Sequence, residues 1–341
     1  MMASFDHPPI RPNNDERVTH HYAELNGCRY HYLLSLPVGG KYTQTVFLIH
    51  GWPDVSMGWR YQIPMLVAND YRVVAPDIMG LGGTDAPAPL EFYGYKRASD
   101  DIAELARQLG CKSIILGGHD WGGAIVHRTC LWHPKLVSHV FTVCTPFFPP
   151  TEQFISHQTL VDGPAPQLGY QLQFSGPDVE AVVKSDNDIR SVLSAMYGGV
   201  TQEQKRIFDP TKGIDLAKLP LVGESRLLNG EVLDYYGKEF SRKGLHSGFN
   251  WYRNRRVNYE DDLKLEKKTI DVPCLFVFAT RDLVLTKGLA TGMENHVSQL
   301  TRKELDAGHF ALVEKPQEVN SILKEWLQDV NGPTFREKNV L

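Results

Sequence analysis

The sequence predicts an α/β fold, a mostly parallel central sheet flanked by helices, with a helical lid inserted between two of its core strands. Short, nearly continuous apolar runs recur along the chain, and segments with helical spacing separate them. Runs of that kind read as strands buried on both faces, which requires a parallel sheet covered by helices. Between Pro146 and about Arg256 the strand signal stops while short helical patterns continue. The chain has 341 residues, 42% hydrophobic and 22% charged, which supports a real core and excludes a disordered, collagen-like or disulfide-framework protein.

The chain opens antiparallel. Asn26-Gly27 lies between the β-rich runs HHYAEL and CRYHYLLSL, a strong hairpin signal. Core strands follow at TVFLIH (45–50), RVVAPD (72–77), SIILGGHD (113–120), HVFTVCT (139–145) and CLFVFAT (274–280). In YKRASDDIAELARQLG the apolar Ala98, Ile102, Leu105, Ala106 and Leu109 recur at three- and four-residue steps, and Gly110 ends the helix. WGGAIVHRTCLWHP is apolar enough for a helix buried behind the sheet. PQEVNSILKEWLQDV is amphipathic, with Val319, Ile322, Leu323, Trp326 and Leu327 on one face. Within the insertion, PDVEAVV, DIRSVLSAMY and GEVLDYYGKEF read as short helices. The expected partition is therefore a discontinuous core, 1–145 and 257–341, and a lid, 146–256, over the strand carboxyl ends where ligands bind in open α/β sheets.

Charge and cysteine usage narrow the function classes. Lys plus Arg is 36 against 40 Asp plus Glu, a net charge of −4 with no long run of one sign, so no nucleic-acid partner is expected. The five cysteines, Cys28, Cys111, Cys130, Cys144 and Cys274, are widely spaced and form no CxxC pair, which suits a reducing compartment. MMASFDHPPIRPNNDER has no apolar h-region and no segment approaches a membrane span, so a soluble chain without a membrane anchor is expected. FREKNVL lacks a peroxisomal signal, which leaves a cytoplasmic location. No phosphate cradle or metal-ligand spacing is found, hence no cofactor and no metal. No signal bears on oligomeric state.

The most informative piece is LGGHDWGGA. It sits between an apolar strand and an apolar helix and puts Asp120 between Gly118 and Gly122, the layout of a nucleophile elbow with Asp where lipases have Ser. The alternative is an ordinary strand-to-helix turn whose Asp caps the helix. An Asp nucleophile is already ionised at neutral pH and suits displacement at a saturated carbon, leaving an ester whose hydrolysis needs a general base. His309, in LDAGHFALVEKP, is the candidate base. Asp282, in FVFATRDLVL, is the candidate acid that orients it, which completes the chain order nucleophile, acid, histidine. Asp306 is the rival acid, expected still to lie within the last strand. HGWPD follows TVFLIH; His50, Gly51 and Pro53 would shape a turn that presents the Trp52 N–H, which with the Trp121 N–H forms an oxyanion hole. A plain tight turn is the alternative there.

HGWP (50–53), DIMGLGGTD (77–85), GGHDWGG (117–123), ATRDLVL (279–285) and AGHF (307–310) together resemble the epoxide hydrolases of the α/β-hydrolase fold, over nearly the whole chain. The resemblance implies a small, largely apolar epoxide and water as substrates, with a vicinal diol as product. It also implies two lid tyrosines that donate to the ring oxygen; LGYQLQF offers Tyr170 and FNWYRN offers Tyr252, and Tyr197, Tyr235 and Tyr236 are not assigned. Trp52 stands where many relatives carry Phe, and Asp54 where some plant relatives carry a Glu implicated in positioning water. Neither the phosphatase domain of the mammalian protein nor a microsomal anchor is expected. The alternatives are a haloalkane dehalogenase, which would need a second halide donor, and a non-catalytic small-molecule-binding relative.

Overall fold

A computed structural model describes residues 7–332 of the chain. The carboxyl-terminal FREKNVL, on which the peroxisomal reading rests, lies outside the described residues, as do the first six of the amino-terminal stretch. β1 (Thr19–Leu25) and β2 (Cys28–Ser35) form the hairpin. Asn26 and Gly27 both take positive φ, 48° and 83°, the backbone a two-residue type I′ turn demands. The alternation then runs β3 (Gln44–Ile49), α1 (Gln62–Ala68), β4 (Tyr71–Pro76), α2 (Tyr95–Gln108), β5 (Ile114–His119), α3 (Trp121–Trp132) and β6 (Val137–Val143). α2 ends as its glycine predicts. Gly110 sits at φ 70°, and the Cys111 N–H donates to the Ala106 carbonyl (2.9 Å) and the Gly110 N–H to that of Arg107 (3.1 Å), a Schellman closure. β6 stops two residues before the expected end because Cys144 takes φ 70°, which turns the chain out of the sheet.

From there to residue 273 no strand joins the sheet among the described residues. This stretch holds α4 (His157–Val161), α5 (Tyr170–Ser175), α6 (Asp178–Val182), α7 (Asp186–Met196), the two-residue ladder β7 (Phe208–Asp209) and β8 (Gly213–Ile214), then α8 (Gly230–Ser241), α9 (His246–Arg253) and α10 (Arg255–Asp262). α10 runs across the expected boundary at 256/257. One arginine fastens both ends of the insertion. Arg128 of α3 is buried, its Nη1 donates to the Phe148 carbonyl (2.8 Å), and its Nε and Nη2 hold Asp262 at 2.9 and 2.8 Å. β9 (Cys274–Ala279), β10 (Leu300–Leu305), α11 (Ala311–Glu314) and α12 (Pro316–Asn331) complete the chain, with Val319, Leu323, Trp326 and Leu327 of α12 buried and Ile322 half-buried. No helix among the described residues is long and apolar enough to cross a membrane.

The eight-stranded sheet has the order β1-β2-β4-β3-β5-β6-β9-β10, antiparallel at β1/β2 and β2/β4 and parallel elsewhere. Register sets the site. Ile49 pairs with Gly118, His119 with Val143, Val143 with Val277, and Ala279 with Leu305. Five parallel strands from β3 to β10 therefore end along one edge, and the segments carrying His50, Asp120, Cys144, Asp282 and His309 leave the sheet together.

Candidate active site

Asp120 stands between β5 and α3 at φ 53°, ψ −126°, a conformation that L residues rarely adopt. The glycines two residues either side make it possible. A Cβ on Gly118 would lie 2.5 Å from the Gly122 carbonyl oxygen, and one on Gly122 would strike the Ile49 carbonyl and approach that of His50 to 2.6 Å. The carboxylate does not cap α3. Instead its Oδ1 accepts from the Trp52 N–H at 2.8 Å, and its Oδ2 lies 3.4 Å from His309 Nε2. Trp121 is the first residue of α3, so its N–H is one of the donors that a helix start leaves without an intrahelical partner.

The HGWP turn is built to bring Trp52 there. His50 is buried, its Nδ1 donating to the Gly51 carbonyl (2.8 Å) and its Nε2 accepting from the Ile78 N–H (3.0 Å). Gly51 has no room for a side chain, since a Cβ would lie 2.5 Å from that of Asp120. The Trp52–Pro53 peptide is cis.

His309 and Asp282 meet across β9 and β10. His309 Nδ1 donates to Asp282 Oδ2 at 2.7 Å, while Asp282 Oδ1 accepts from the Val284 and Leu285 N–H groups at 2.8 and 3.0 Å. Burial works against a charge on His309, but the carboxylates of Asp282 and Asp120 outweigh it and raise the imidazole to about 10. Burial likewise works against Asp282, yet the imidazolium and these hydrogen bonds hold it below the usual carboxylate range. Asp306, expected inside the strand, lies just past its end at Leu305; its side chain is exposed and paired with Arg281 at 2.8 Å, so it does not face the imidazole.

The insertion brings Tyr170 and Tyr252 together. Both are buried, with ring centroids 5.9 Å apart in an edge-on arrangement, and Tyr252 meets the Trp121 ring at 5.1 Å and the Trp52 ring at 5.7 Å. Burial pushes both phenols upward, followed by the charge of Asp120 for Tyr170 and by Tyr170 and then Asp120 for Tyr252, so they remain O–H donors. Tyr170 opens α5, where its N–H donates to the Pro210 carbonyl (2.9 Å) and Gly169 presses against the backbone of Thr211. Tyr252 lies on α9. The Trp251 Nε1–H donates to the Met79 carbonyl (3.0 Å) and the Ser247 hydroxyl to that of Gly80 (2.7 Å), so the glycine-rich DIMGLGGTD loop is the dock for this helix.

Tyr236 and Thr145 are two further groups that the sequence left unassigned. Asp54 is buried and its Oδ1 accepts from the Tyr236 hydroxyl at 2.5 Å, which links the HGWPD turn to α8. Tyr236 is one of the unassigned tyrosines; an acid directly after HGWP, needing a buried partner, was the only sequence signal for it. The Thr145 hydroxyl donates to the Asp120 carbonyl at 2.8 Å, for which no motif existed. Ligand atoms of His119, Cys144 and His309 fall within 4.8 Å of one another, the spacing of a metal site. They are otherwise engaged: His119 Nε2 and Cys144 Sγ both point at the His309 carbonyl, and the His309 ring faces Asp282 and Asp120.

The model of the alpha/beta hydrolase fold matches residues 44–316. Over 338 residues the chain is 40% identical to Epoxide hydrolase srdG of Neurospora crassa, covering 94% of this chain and 98% of that protein. The chain belongs to the epoxide hydrolases of the α/β-hydrolase fold. It is also 32% identical to Epoxide hydrolase A of Mycobacterium tuberculosis over 91% of this chain and 97% of that one. Against Bifunctional epoxide hydrolase 2 of Rattus norvegicus the identity is 31% over 97% of this chain, which spans 59% of the rat protein's length. Among solved structures, Epoxide Hydrolase A from Mycobacterium thermoresistibile superposes with a TM-score of 0.78 at 29% identity, covering 91% of this chain and 98% of that chain. This hydrolase family shares the sheet and helix arrangement described above.

Proposed function

We propose that the chain hydrolyses small, largely apolar epoxides to vicinal diols through an ester on Asp120. The observation that carries this reading is the carboxylate itself, pinned by the Trp52 N–H on one oxygen, facing His309 with the other and overlooked by two buried phenols. Oδ1 already occupies the position of an ester carbonyl, so Oδ2 attacks the less hindered ring carbon. As the ring C–O bond breaks, Tyr170 and Tyr252 hydrogen-bond to the departing oxygen and pass it a proton.

The proton balance closes within the site. Before reaction the two carboxylates keep His309 protonated. Ester formation abolishes the charge of Asp120, the imidazolium becomes more acidic, and the proton it releases replaces the one given to the ring oxygen. The neutral imidazole, held by Asp282, then takes a proton from water as it attacks the ester carbonyl, while the Trp52 and Trp121 N–H groups hold the oxyanion. Collapse frees the diol and returns Asp120 as carboxylate and His309 as imidazolium.

In this proposal residues 146–256 act as the lid and 1–145 with 257–341 as the core. The rings of Trp52, Trp121, Phe174 and Phe249, packed around Tyr252, suit an uncharged apolar substrate. The five free cysteines and the mild negative charge suit a cytoplasmic enzyme without a nucleic-acid partner. A panel of terminal and internal epoxides assayed for diol, with Tyr170→Phe, Tyr252→Phe and the double variant, tests it. Diol formation that collapses in the double variant supports the reading; undiminished turnover there removes the tyrosines from it.

A further inference from the structure

The geometry points to Cys144 and Thr145, the two residues that leave β6, as positioning residues that with His119 set the separation of nucleophile and base. This rests on the reaction proposed above. Each of the two reacting residues has its backbone carbonyl held by a buried side chain from this one dipeptide. The Thr145 hydroxyl donates to the Asp120 carbonyl at 2.8 Å, and the Cys144 thiol donates to the His309 carbonyl at 3.1 Å. His119, the neighbour of Asp120, sends Nε2 to the same His309 carbonyl at 2.7 Å. A carbonyl only accepts, so His119 carries its proton on Nε2 and the thiol keeps its own.

The surroundings maintain those protonation states. Burial, then the charge of His309, holds His119 down to about 4, so it is a neutral donor. Burial, then Asp282, pushes the Cys144 thiol well up, so it does not ionise. Cys144 is also held at φ 70°, in the left-handed region that favours glycine, and is fully buried. Such strain persists only where surrounding contacts over-determine the backbone. Thr145 is pinned from the other side by the first turn of α3, where a Cβ on Gly123 would lie 2.6 Å from its Oγ1. His119 pairs with Val143 in the parallel ladder, so the dipeptides His119-Asp120 and Cys144-Thr145 leave adjacent strands side by side. His309 arrives from a loop beyond β10, and its carbonyl is held by His119 and Cys144 of these two dipeptides.

Paired variants distinguish positioning from the mere satisfaction of a buried carbonyl. Cys144→Gly removes the thiol while suiting the backbone, and Cys144→Ser keeps a donor; Thr145→Ala and Thr145→Ser form the second pair. Single-turnover kinetics on an epoxide substrate read formation and hydrolysis of the alkyl-enzyme separately. Because a misplacement of about 1 Å can cost about 100-fold, a partial release of His309 or Asp120 predicts hydrolysis about tenfold slower in Cys144→Gly and Thr145→Ala. Their KM falls together with kcat as the ester accumulates, and both serine variants stay within about threefold of wild type. Equal hydrolysis rates across each pair, in folded protein, overturn the proposal; if Cys144→Gly does not fold, the Thr145 pair decides. Absence of an alkyl-enzyme in the wild type would instead overturn the mechanism on which the proposal rests.

Discussion

Replacing Asp120 by Asn keeps the shape of the side chain and removes one charge 3.4 Å from His309 Nε2. A unit pair at that distance is worth about 5 kcal/mol at an effective dielectric of 20 and about 1 kcal/mol in water. With 18% of the His309 side chain and 11% of that of Asp120 exposed, the pair lies between those limits. At about 1.4 kcal/mol per pH unit, the His309 midpoint should fall from about 10 by roughly one to three pH units, Asp282 retaining the rest. Proton NMR titration of the imidazole, assigned by difference from His309→Gln, measures it, with mass spectrometry confirming that the introduced asparagine has not deamidated. A midpoint that stays in place or rises refutes the electrostatic reading. Stability follows with a definite sign. The folded-state value lies above the ordinary 6.5, so the His309 contribution is complete below about pH 6.5 and is lost as pH climbs toward 10. Thermal melts of the wild type should therefore decline more steeply between pH 7 and 10 than those of Asp120→Asn.

Other perturbations test the frame around the site. Gly122→Ala should abolish the elbow, because its Cβ meets two backbone carbonyls that cannot move aside; wild-type expression and turnover would contradict this. Arg128→Met should cost about 3–5 kcal/mol in denaturant unfolding by leaving Asp262 buried and unpaired, whereas adding Asp262→Leu should restore most of it; a single-variant loss under about 1 kcal/mol would count against the clasp. Tyr236→Phe should cost about 1.5–3 kcal/mol through the lost bond to Asp54. Burial already raises Asp54 and the tyrosine opposes it, so the variant should lose stability more steeply than wild type as pH rises above the carboxylate range.

What the sequence made legible follows from local rules. Strands buried on both faces announce themselves as apolar runs, and β3, β4, β5 and β9 fall within a residue of expectation. The glycines around Asp120 were readable because their reason is steric and local, and the positions of Asp282 and His309 because chain order in this fold orders space. Contacts that depend on how the insertion packs were not readable. Tyr236 looks like its neighbour Tyr235 until α8 is laid over Asp54, and nothing in HRTCL tells that Arg128 reaches both Phe148 and Asp262. Tyr170 and Tyr252 came from resemblance, since two of 14 tyrosines cannot be chosen by spacing. Asp306 was misplaced by one residue, and in a strand that distance changes the face to which a side chain points.

A covalent ester on Asp120 would fix where the oxygen of water goes, and a labelling experiment follows it. In a single turnover with enzyme in excess in heavy-oxygen water, the diol takes its new oxygen from Asp120 while water restores the carboxylate. An ester on Asp120 leaves the diol unlabelled and puts heavy oxygen in the peptide containing Asp120; label in the first-turnover diol and none in Asp120 would contradict it.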